Sequence, residues 1–269
     1  MTRGFRRWSV ILVSVLLGGV TNLLAEYSRP QVGTAIIAIV RPESRIVLAA
    51  DSRRLTYPLN ETQPQLSVVC KISKLSDSIF FVPTGFYAWQ SFRAPNIIKQ
   101  AYEETKNIGQ TIELIEPRLK AALETNYLEI RNKAPDFYRR NFDRMNKLEV
   151  FFFGAQFGTL FTYDREFRAT DLPDKVQVDV IRHKICSENW CEGKSQLMVV
   201  FAGHKKAISQ YLKYNPIGPK LAEEIGWINS AMDAQIKAAP LDVGAPINII
   251  SIEPTGETQW IQGEDQCKF

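Results

Sequence analysis

The stretch GTAIIAIVRPESRIVLAADSR, which runs from Gly33 to Arg53, decides the architecture of this chain. Two runs rich in β-branched and small apolar residues, AIIAIV and RIVLAA, lie on either side of the polar turn sequence RPES. Such a pattern predicts a β-hairpin. Antiparallel partners have nearly constant summed residue numbers, so folding the hairpin about residue 43 places Asp51 opposite Thr34 or Ala35.

A second hairpin is predicted from Val68–Leu75 and Ile79–Val82, which flank a short polar turn. Folding this hairpin about Asp77 brings Lys71 level with the stretch Pro83–Gly85. Each hairpin therefore presents polar groups at its open end. The periodicities do not determine whether the two open ends meet in space.

The rest of the chain alternates between helical and strand patterns. Apolar residues spaced three or four apart, with helix-ending signals, predict helices over Asn96–Lys106, Thr111–Asn132, Lys205–Lys213 and from Leu221 to just before Pro240. Further strands are predicted over Glu149–Phe153, Thr159–Tyr163, Val176–Ile185, Gln196–Phe201, Ile247–Ile252 and Gln259–Ile261. This order predicts an α+β fold with two sheets covered by helices. No linker-like segment follows Arg29, so we expect one domain.

The N-terminal segment has the pattern of a secretory signal. Arg3, Arg6 and Arg7 precede an apolar run from Val10 to Val20, and the small residue Ala25 follows. We therefore expect residues 1–25 to be a signal peptide and the protein to be exported to the periplasm or the extracellular space. An uncleaved membrane anchor is the alternative, but the run is shorter than the roughly 20 apolar residues of a membrane span.

The charge of the expected mature domain excludes one class of partner. The whole chain has a formal net charge of +4, and residues 1–33 contain four arginines and one glutamate. The remainder is therefore close to +1 and lacks any basic block. We expect no nucleic-acid partner, and no membrane span once the signal is removed.

The four cysteines lie in a chain bound for an oxidising compartment. Cys186 and Cys191 bracket the short polar segment SENW, and we predict a disulfide between them, whereas Cys70 and Cys267 are interpreted as buried thiols. Together with His183 the first pair offers three zinc ligands, but no fourth ligand has suitable spacing. Since the sequence also lacks a glycine-rich phosphate loop, no metal and no cofactor are predicted. A catalytic dyad of the Cys70 thiol with His183 or His204 is an alternative site, but no motif or spacing in the sequence indicates that these residues lie together.

A family resemblance adds to these observations. Gly33–Thr34, VLAADSR (Val47–Arg53), KISKL (Lys71–Leu75) and Gly85 resemble, in order and spacing, the catalytic frame of proteasome β-subunits and their bacterial peptidase relatives. These are N-terminal-nucleophile (Ntn) hydrolases. The segments GAQFGTLFTYD and INIISIEPTGETQW are similar to the middle and final hairpins of the family. The resemblance covers most of residues 33–262.

The resemblance implies a four-layer αββα sandwich of antiparallel sheets. It also implies a short propeptide, residues 26–33, and a hydrolase domain over residues 34–269. Its substrate would be a peptide or a small amide, and because relatives form rings a homo-oligomer is left open.

The chemistry implied by the resemblance assigns a role to four residues. Thr34 is the nucleophile that becomes the N-terminus after self-cleavage, and its free α-amine, with a reference pKa of about 7.7–8.0, is the base. Lys71 lowers the cost of forming the alkoxide, and Asp51 holds that lysine charged and oriented. The backbone N–H of Gly85 is the oxyanion donor, where a glycine permits close approach of a substrate carbonyl.

The sequence departs from the family near the threonine amine. Pro240 and Val243 stand where the family has a supporting aspartate and serine, although Asp242 lies two residues from the first position. The turn that normally carries a serine reads FAGH, with Ala202 and then His204 as the substitute candidate. The alternative functions are a catalytically inactive binding domain of the same fold and an amidase acting on small molecules.

Overall fold

The structure is a computed structural model that describes residues 31–32, 34–56, 65–183 and 197–267. Its strands are β1 Gln31–Val32, β2 Ala35–Arg41, β3 Arg45–Asp51, β4 Arg53–Thr56, β5 Gln65–Val68, β6 Ser73–Ser76, β7 Ile79–Gly85, β8 Ala88–Trp89, β9 Phe92–Arg93, β10 Lys147–Gln156, β11 Thr159–Asp171, β12 Val176–His183, β13 Met198–Gly203, β14 Ile247–Ile252 and β15 Thr258–Gln262. Its helices are α1 Ala94–Thr105, α2 Ile108–Lys133, α3 Pro135–Met145, α4 Lys206–Tyr214 and α5 Leu221–Ala238, followed by a 3₁₀ turn over Glu264–Gln266.

Two five-stranded antiparallel sheets form the centre of the molecule. The first sheet has the order β13-β2-β3-β14-β15 and the second has the order β12-β11-β10-β7-β6. Helices α1 to α3 pack on the outer face of the second sheet, and α4 and α5 pack on the outer face of the first. The predicted α+β fold and its four-layer αββα arrangement are confirmed.

The predicted opening hairpin is β2 and β3, paired in the expected register, with Ile36 opposite Ala50. Both faces of this hairpin are buried, which explains why its sequence is apolar almost throughout. Alternate residues of β2 contact the second sheet on one side and α4 and α5 on the other: Ile36, Ala38 and Val40 face the sheet, and Ala35, Ile37 and Ile39 face the helices. The apolar run of β2 thus contributes both to the core between the two sheets and to the core between the first sheet and its helices.

The predicted long helices are present and bury the predicted faces. The residues of the apolar stripe on α2 are at most 3 % exposed: Ile112, Ile115, Leu119, Leu123, Tyr127 and Ile130. Helix α2 begins after Asn107, whose side chain accepts a hydrogen bond from the backbone N–H of Gln110. The α5 helix ends at Ala238, two residues before Pro240, as predicted.

Some elements were missed in the sequence. Helix α3 follows α2 after one residue, Ala134, and a small third sheet has the order β5-β4-β1-β8-β9. Its strands are two to four residues long, too short to show an alternating pattern. Strand β1, within the expected propeptide, pairs with β4 and β8.

The interpretation of Cys70 and Cys267 as thiols is wrong, because the two residues form a disulfide with their Cα atoms 5.0 Å apart. They are 197 residues apart in sequence. They meet because the segment after β15 places Cys267 beside residues of β6, β7 and β15. This disulfide also removes the thiol that the Cys70–histidine site required. Cys186 and Cys191 lie outside the described residues, as does most of the expected signal and propeptide segment. Within the described ranges, none of the helices has the length and apolar character needed to cross a membrane.

Candidate active site

Asp51 is the centre of the predicted site. It ends β3, is fully buried, and accepts four hydrogen bonds from the described residues. Its Oδ1 accepts from the Lys71 ammonium at 2.8 Å and from the backbone N–H of Ala35 at 2.7 Å. Its Oδ2 accepts from the backbone N–H groups of Arg53 at 3.1 Å and Gly244 at 3.2 Å. Donors from four separate segments therefore hold both oxygens of the carboxylate in place.

Lys71 lies just before β6 and is 5 % exposed. Burial lowers its pKa below the usual value for lysine, and the ion pair with Asp51 opposes that shift without cancelling it. The predicted contact, a Lys71 nitrogen within about 4 Å of an Asp51 oxygen, is present at 2.8 Å.

Thr34 precedes β2 and is 1 % exposed. Its carbonyl oxygen accepts a hydrogen bond of 3.0 Å from the backbone N–H of His204. The neighbouring Gly203 has a φ of +67°, and a Cβ added there would lie 1.8 Å from that same carbonyl oxygen. Only glycine permits this approach, so Gly203 sets the position of the Thr34 backbone.

Thr34 and Lys71 are connected through one atom. The amide that follows Thr34, the N–H of Ala35, donates to the same Asp51 oxygen as the Lys71 ammonium. The open ends of the two predicted hairpins therefore meet in space.

Thr34 also lines a cleft of about 510 Å³. Its walls include Thr34, Gly85, Lys147, Glu149, His204 and Asp242. Gly85 has a φ of +78°, and a Cβ added there would lie 2.1 Å from the Lys147 carbonyl oxygen. A glycine is therefore required at this wall for the strands to pack, and it leaves the backbone beside Thr34 accessible to a ligand in the cleft.

The residues around Thr34 differ from those that the family resemblance predicts. Asp242 lines the cleft, and its Oδ2 lies 3.8 Å from the Nε2 atom of His204. Val243 is fully buried in the core beneath the first sheet, away from the cleft. Of the residues proposed from the sequence to replace the family pattern, His204 and Asp242 are the two at the cleft.

A second set of buried polar residues supports the end of β3 and was missed in the sequence. The hydroxyl of Ser52 donates to Oδ1 of Asn248 at 2.7 Å, and the Asn248 amide donates to the Gly263 carbonyl at 3.2 Å. Ser52 and Asn248 are both fully buried. An asparagine inside the apolar run INIISI was the available signal, because a buried polar side chain requires a partner.

No family model and no curated protein matches the chain. Among solved structures, an Anbu (Gly-1) mutant from Hyphomicrobium sp. strain MC1 is similar at 14 % identity and a TM-score of 0.49, over 86 % of this chain and 88 % of that chain. Another Anbu structure from the same strain has 15 % identity, a TM-score of 0.42 and the same coverage. Anbu (ancestral beta-subunit) from Yersinia bercovieri has 14 % identity and a TM-score of 0.44, over 84 % of this chain and 86 % of that chain. At these identities the likeness concerns the fold alone, so the chemistry of the site must be inferred from this chain's own residues.

Proposed function

We propose that this protein is an N-terminal threonine hydrolase that cleaves peptide or related amide bonds through an acyl-enzyme, after it cleaves its own chain between Gly33 and Thr34. The observation that carries the proposal is the pair of contacts on Asp51 Oδ1, which link Lys71 to the backbone of Thr34 at the wall of a cleft.

The proposed reaction begins with the hydroxyl of Thr34. Its proton passes to the free α-amine of the same residue, and the oxygen attacks the carbonyl carbon of the substrate amide. The Lys71 ammonium stabilises the developing negative charge on the hydroxyl oxygen, and the N–H of Gly85 donates to the oxyanion. The protonated amine then gives its proton to the leaving nitrogen, the C–N bond breaks, and an ester to Thr34 remains. Attack of water on that ester releases the acid and restores the hydroxyl.

His204 and Asp242 are the proposed positioning residues for the amine. They lie on the wall of the cleft that contains Thr34, and the backbone N–H of His204 already holds the Thr34 carbonyl. An imidazole and a carboxylate supply the acceptor groups that an aspartate and a serine supply in the resembling family. This pair orients the amine so that its lone pair faces the hydroxyl.

Self-cleavage explains how Thr34 gains a free amine. In the complete chain its nitrogen belongs to the peptide bond with Gly33, and the residue is almost inaccessible. Strand β1 pairs with β4 and β8, which holds Gln31 and Val32 next to the strand that follows Asp51. Attack of the Thr34 hydroxyl on the Gly33 carbonyl moves the acyl group from nitrogen to oxygen, and hydrolysis of the ester frees both ends. Cleavage would follow export, since the proposed signal precedes this segment.

A catalytically inactive binding domain is the second candidate. The departures at Ala202, Pro240 and Val243 favour it, because they remove the polar groups that the resembling family places around the amine. In this case Thr34 keeps a blocked amine, and the cleft binds its partner without turnover.

Intact mass spectrometry of the exported protein tests the proposal. We expect the mature chain to begin at Thr34 and to hydrolyse members of a fluorogenic peptide and amide panel. Thr34→Ala should abolish both processing and hydrolysis, whereas Thr34→Ser should retain part of each because the hydroxyl survives. A mature chain that begins near Glu26 and hydrolyses no substrate would establish the binding domain instead.

A further inference from the structure

A group of ionisable side chains lies on the second sheet beside the cleft and takes no part in the proposed hydrolysis. Glu149 on β10 is directly opposite Glu166 on β11, and Asp164 on β11 is directly opposite His183 on β12. We call Glu149, Asp164, Glu166 and His183 the β10–β12 cluster. Each of its three carboxylates is at most 6 % exposed, whereas His183 is at the surface.

Three members of the cluster have donor atoms close enough to share one metal ion. One ligand atom from each of Glu149, Glu166 and His183 lies within 4.8 Å of the other two. The Nε2 atom of His183 is 3.0 Å from Oε2 of Glu166. Three donors this close can all contact one ion at the usual bond lengths of about 2.0–2.2 Å after small side-chain adjustments.

Asp164 gives the second, independent observation. It is 4 % exposed, and within the described part of the chain its buried Oδ1 accepts no hydrogen bond. A buried carboxyl oxygen without a donor is costly, so an unpaired one among other ligands indicates a missing positive partner.

Two side-chain cations, Lys147 and Arg168, already contact the cluster. The ammonium of Lys147 lies 3.1 Å from Oε2 of Glu149 and 3.0 Å from Oε2 of Glu166. The guanidinium of Arg168 donates to the other oxygen, Oε1, of Glu166 at 2.8 Å. The Lys147 side chain is 37 % exposed and reaches the cleft, so it is able to leave the cluster without unfolding.

We propose that the β10–β12 cluster binds one divalent transition cation, of the Mn²⁺ or Zn²⁺ class, in place of the Lys147 ammonium. Glu149, Asp164 and Glu166 supply oxygen ligands and His183 supplies nitrogen. A mixed carboxylate and imidazole set favours these ions over Mg²⁺, which prefers oxygen ligands and water. The ion would lie beside the catalytic cleft, because Glu149 is opposite Thr84, the residue before Gly85.

The test measures binding of Mn²⁺ and Zn²⁺, with Mg²⁺ as the comparison ion, to the full chain after treatment with EDTA, by isothermal titration calorimetry. We expect one bound Mn²⁺ or Zn²⁺ per chain and weaker binding of Mg²⁺. Asp164→Asn keeps the shape of the side chain and should weaken Mn²⁺ binding by about 10-fold or more. Glu104→Gln is the matched control: it neutralises an exposed carboxylate that pairs with Arg118 on the helical face, and it should bind Mn²⁺ like the wild type.

Lys147→Met distinguishes a metal site from a closed ion-pair network. Removing the competing ammonium should tighten Mn²⁺ binding, and Mn²⁺ should restore the melting temperature that the variant loses in EDTA. The proposal fails if neither the wild type nor folded Lys147→Met binds any of the three ions. It also fails if Asp164→Asn and Glu104→Gln bind Mn²⁺ equally well, because the ion then lies elsewhere.

Discussion

The ammonium of Lys71 lies 2.8 Å from Oδ1 of Asp51, although the two residues are 20 positions apart on different hairpins. Each hairpin belongs to a different sheet, with β3 in the first and β6 and β7 in the second. The contact therefore exists only when the two sheets are packed face to face. Any change that separates the two sheets would therefore also separate Lys71 from Asp51 at the proposed site.

Lys71→Met should remove hydrolysis and destabilise the fold. The variant leaves the buried Asp51 carboxylate without its ammonium, and losing one partner of a buried pair costs about 3–5 kcal/mol. The rate of amide hydrolysis should fall on the order of 10²-fold or more, since no charge then stabilises the alkoxide. Urea denaturation and peptide turnover measure the two effects.

Lys74→Met is the control for this change, because Lys74 pairs with the exposed Asp77 at the surface three residues away. It should leave stability and turnover almost unchanged. If Lys71→Met were equally harmless, the Asp51–Lys71 contact would be unimportant for both fold and chemistry.

His204→Ala should lower kcat and leave KM nearly unchanged, because the imidazole positions the amine and is not proposed to bind substrate. His204→Gln should keep part of the activity through its remaining polar group. The variant pair His204→Ala and Asp242→Asn should be non-additive when combined, as expected for residues that act together. Additive losses, or a rise in KM alone, would mean that the two residues act separately on substrate binding.

Gly203→Ala should disrupt the site through the backbone. The added Cβ would lie 1.8 Å from the Thr34 carbonyl oxygen, at a φ of +67° that alanine disfavours. We expect a loss of about 1–3 kcal/mol in the free energy of unfolding and a loss of self-cleavage. Intact mass and thermal melting report the two results.

Gly226→Ala provides the matched control on α5. A Cβ at Gly226 meets no atom within 4 Å, and the residue is exposed in a helix. This change should stabilise the protein by about 0.5–1 kcal/mol and leave processing intact. Equal effects at the two glycines would contradict the role assigned to Gly203.

Asp164 should make the metal-free protein less stable as the pH rises. Its pKa is about 7 in the folded chain and 3.8 in the unfolded reference, so the folded state holds more protons between those values. The contribution of Asp164 to the free energy of unfolding is therefore fully present below pH 4 and is lost as the pH rises towards 7. The charges facing it are Glu149 and Glu166, which oppose its ionisation, and Lys147 and His183, which favour it.

The measurement compares the wild type with Asp164→Asn in EDTA, by urea denaturation from pH 4 to pH 8. The amide does not titrate, so the free energy of unfolding of the variant should rise by about 1–3 kcal/mol relative to that of the wild type between pH 4 and pH 8. A stability difference that is independent of pH would show that Asp164 ionises normally in the folded chain.

The hairpins and the long helices could be predicted because their signals are local. Turn residues such as RPES and the apolar stripe on α2 act over a few positions, and constant summed residue numbers then placed Asp51 beside Ala35 correctly. The family resemblance predicts Thr34, Asp51, Lys71 and Gly85 as site residues. In the structure, Lys71 and the amide that follows Thr34 both donate to the Asp51 carboxylate. Their catalytic roles remain predictions.

Helix α3, the third sheet and the β10–β12 cluster could not be predicted in the same way. Strands of two to four residues have too few positions to show a period. Glu149, Asp164 and Glu166 alternate correctly along β10 and β11, but alternation alone does not distinguish an outward polar face from a buried one. Their burial depends on the first sheet covering the second.

The sequence by itself determined the order of the main helices and strands and the register of the two hairpins, because each depends on neighbouring residues. The candidate nucleophile, Thr34, came from the family resemblance. Only the tertiary structure decided that Lys71 reaches Asp51 and that Cys70 is bonded to Cys267. It also decided that Oδ1 of Asp164 is buried without a hydrogen bond from the described residues. The disulfide joins residues 197 positions apart, and no local signal encodes such a separation. Contacts of this kind form when two sheets bury their apolar faces together, and that free energy is distributed over the whole core.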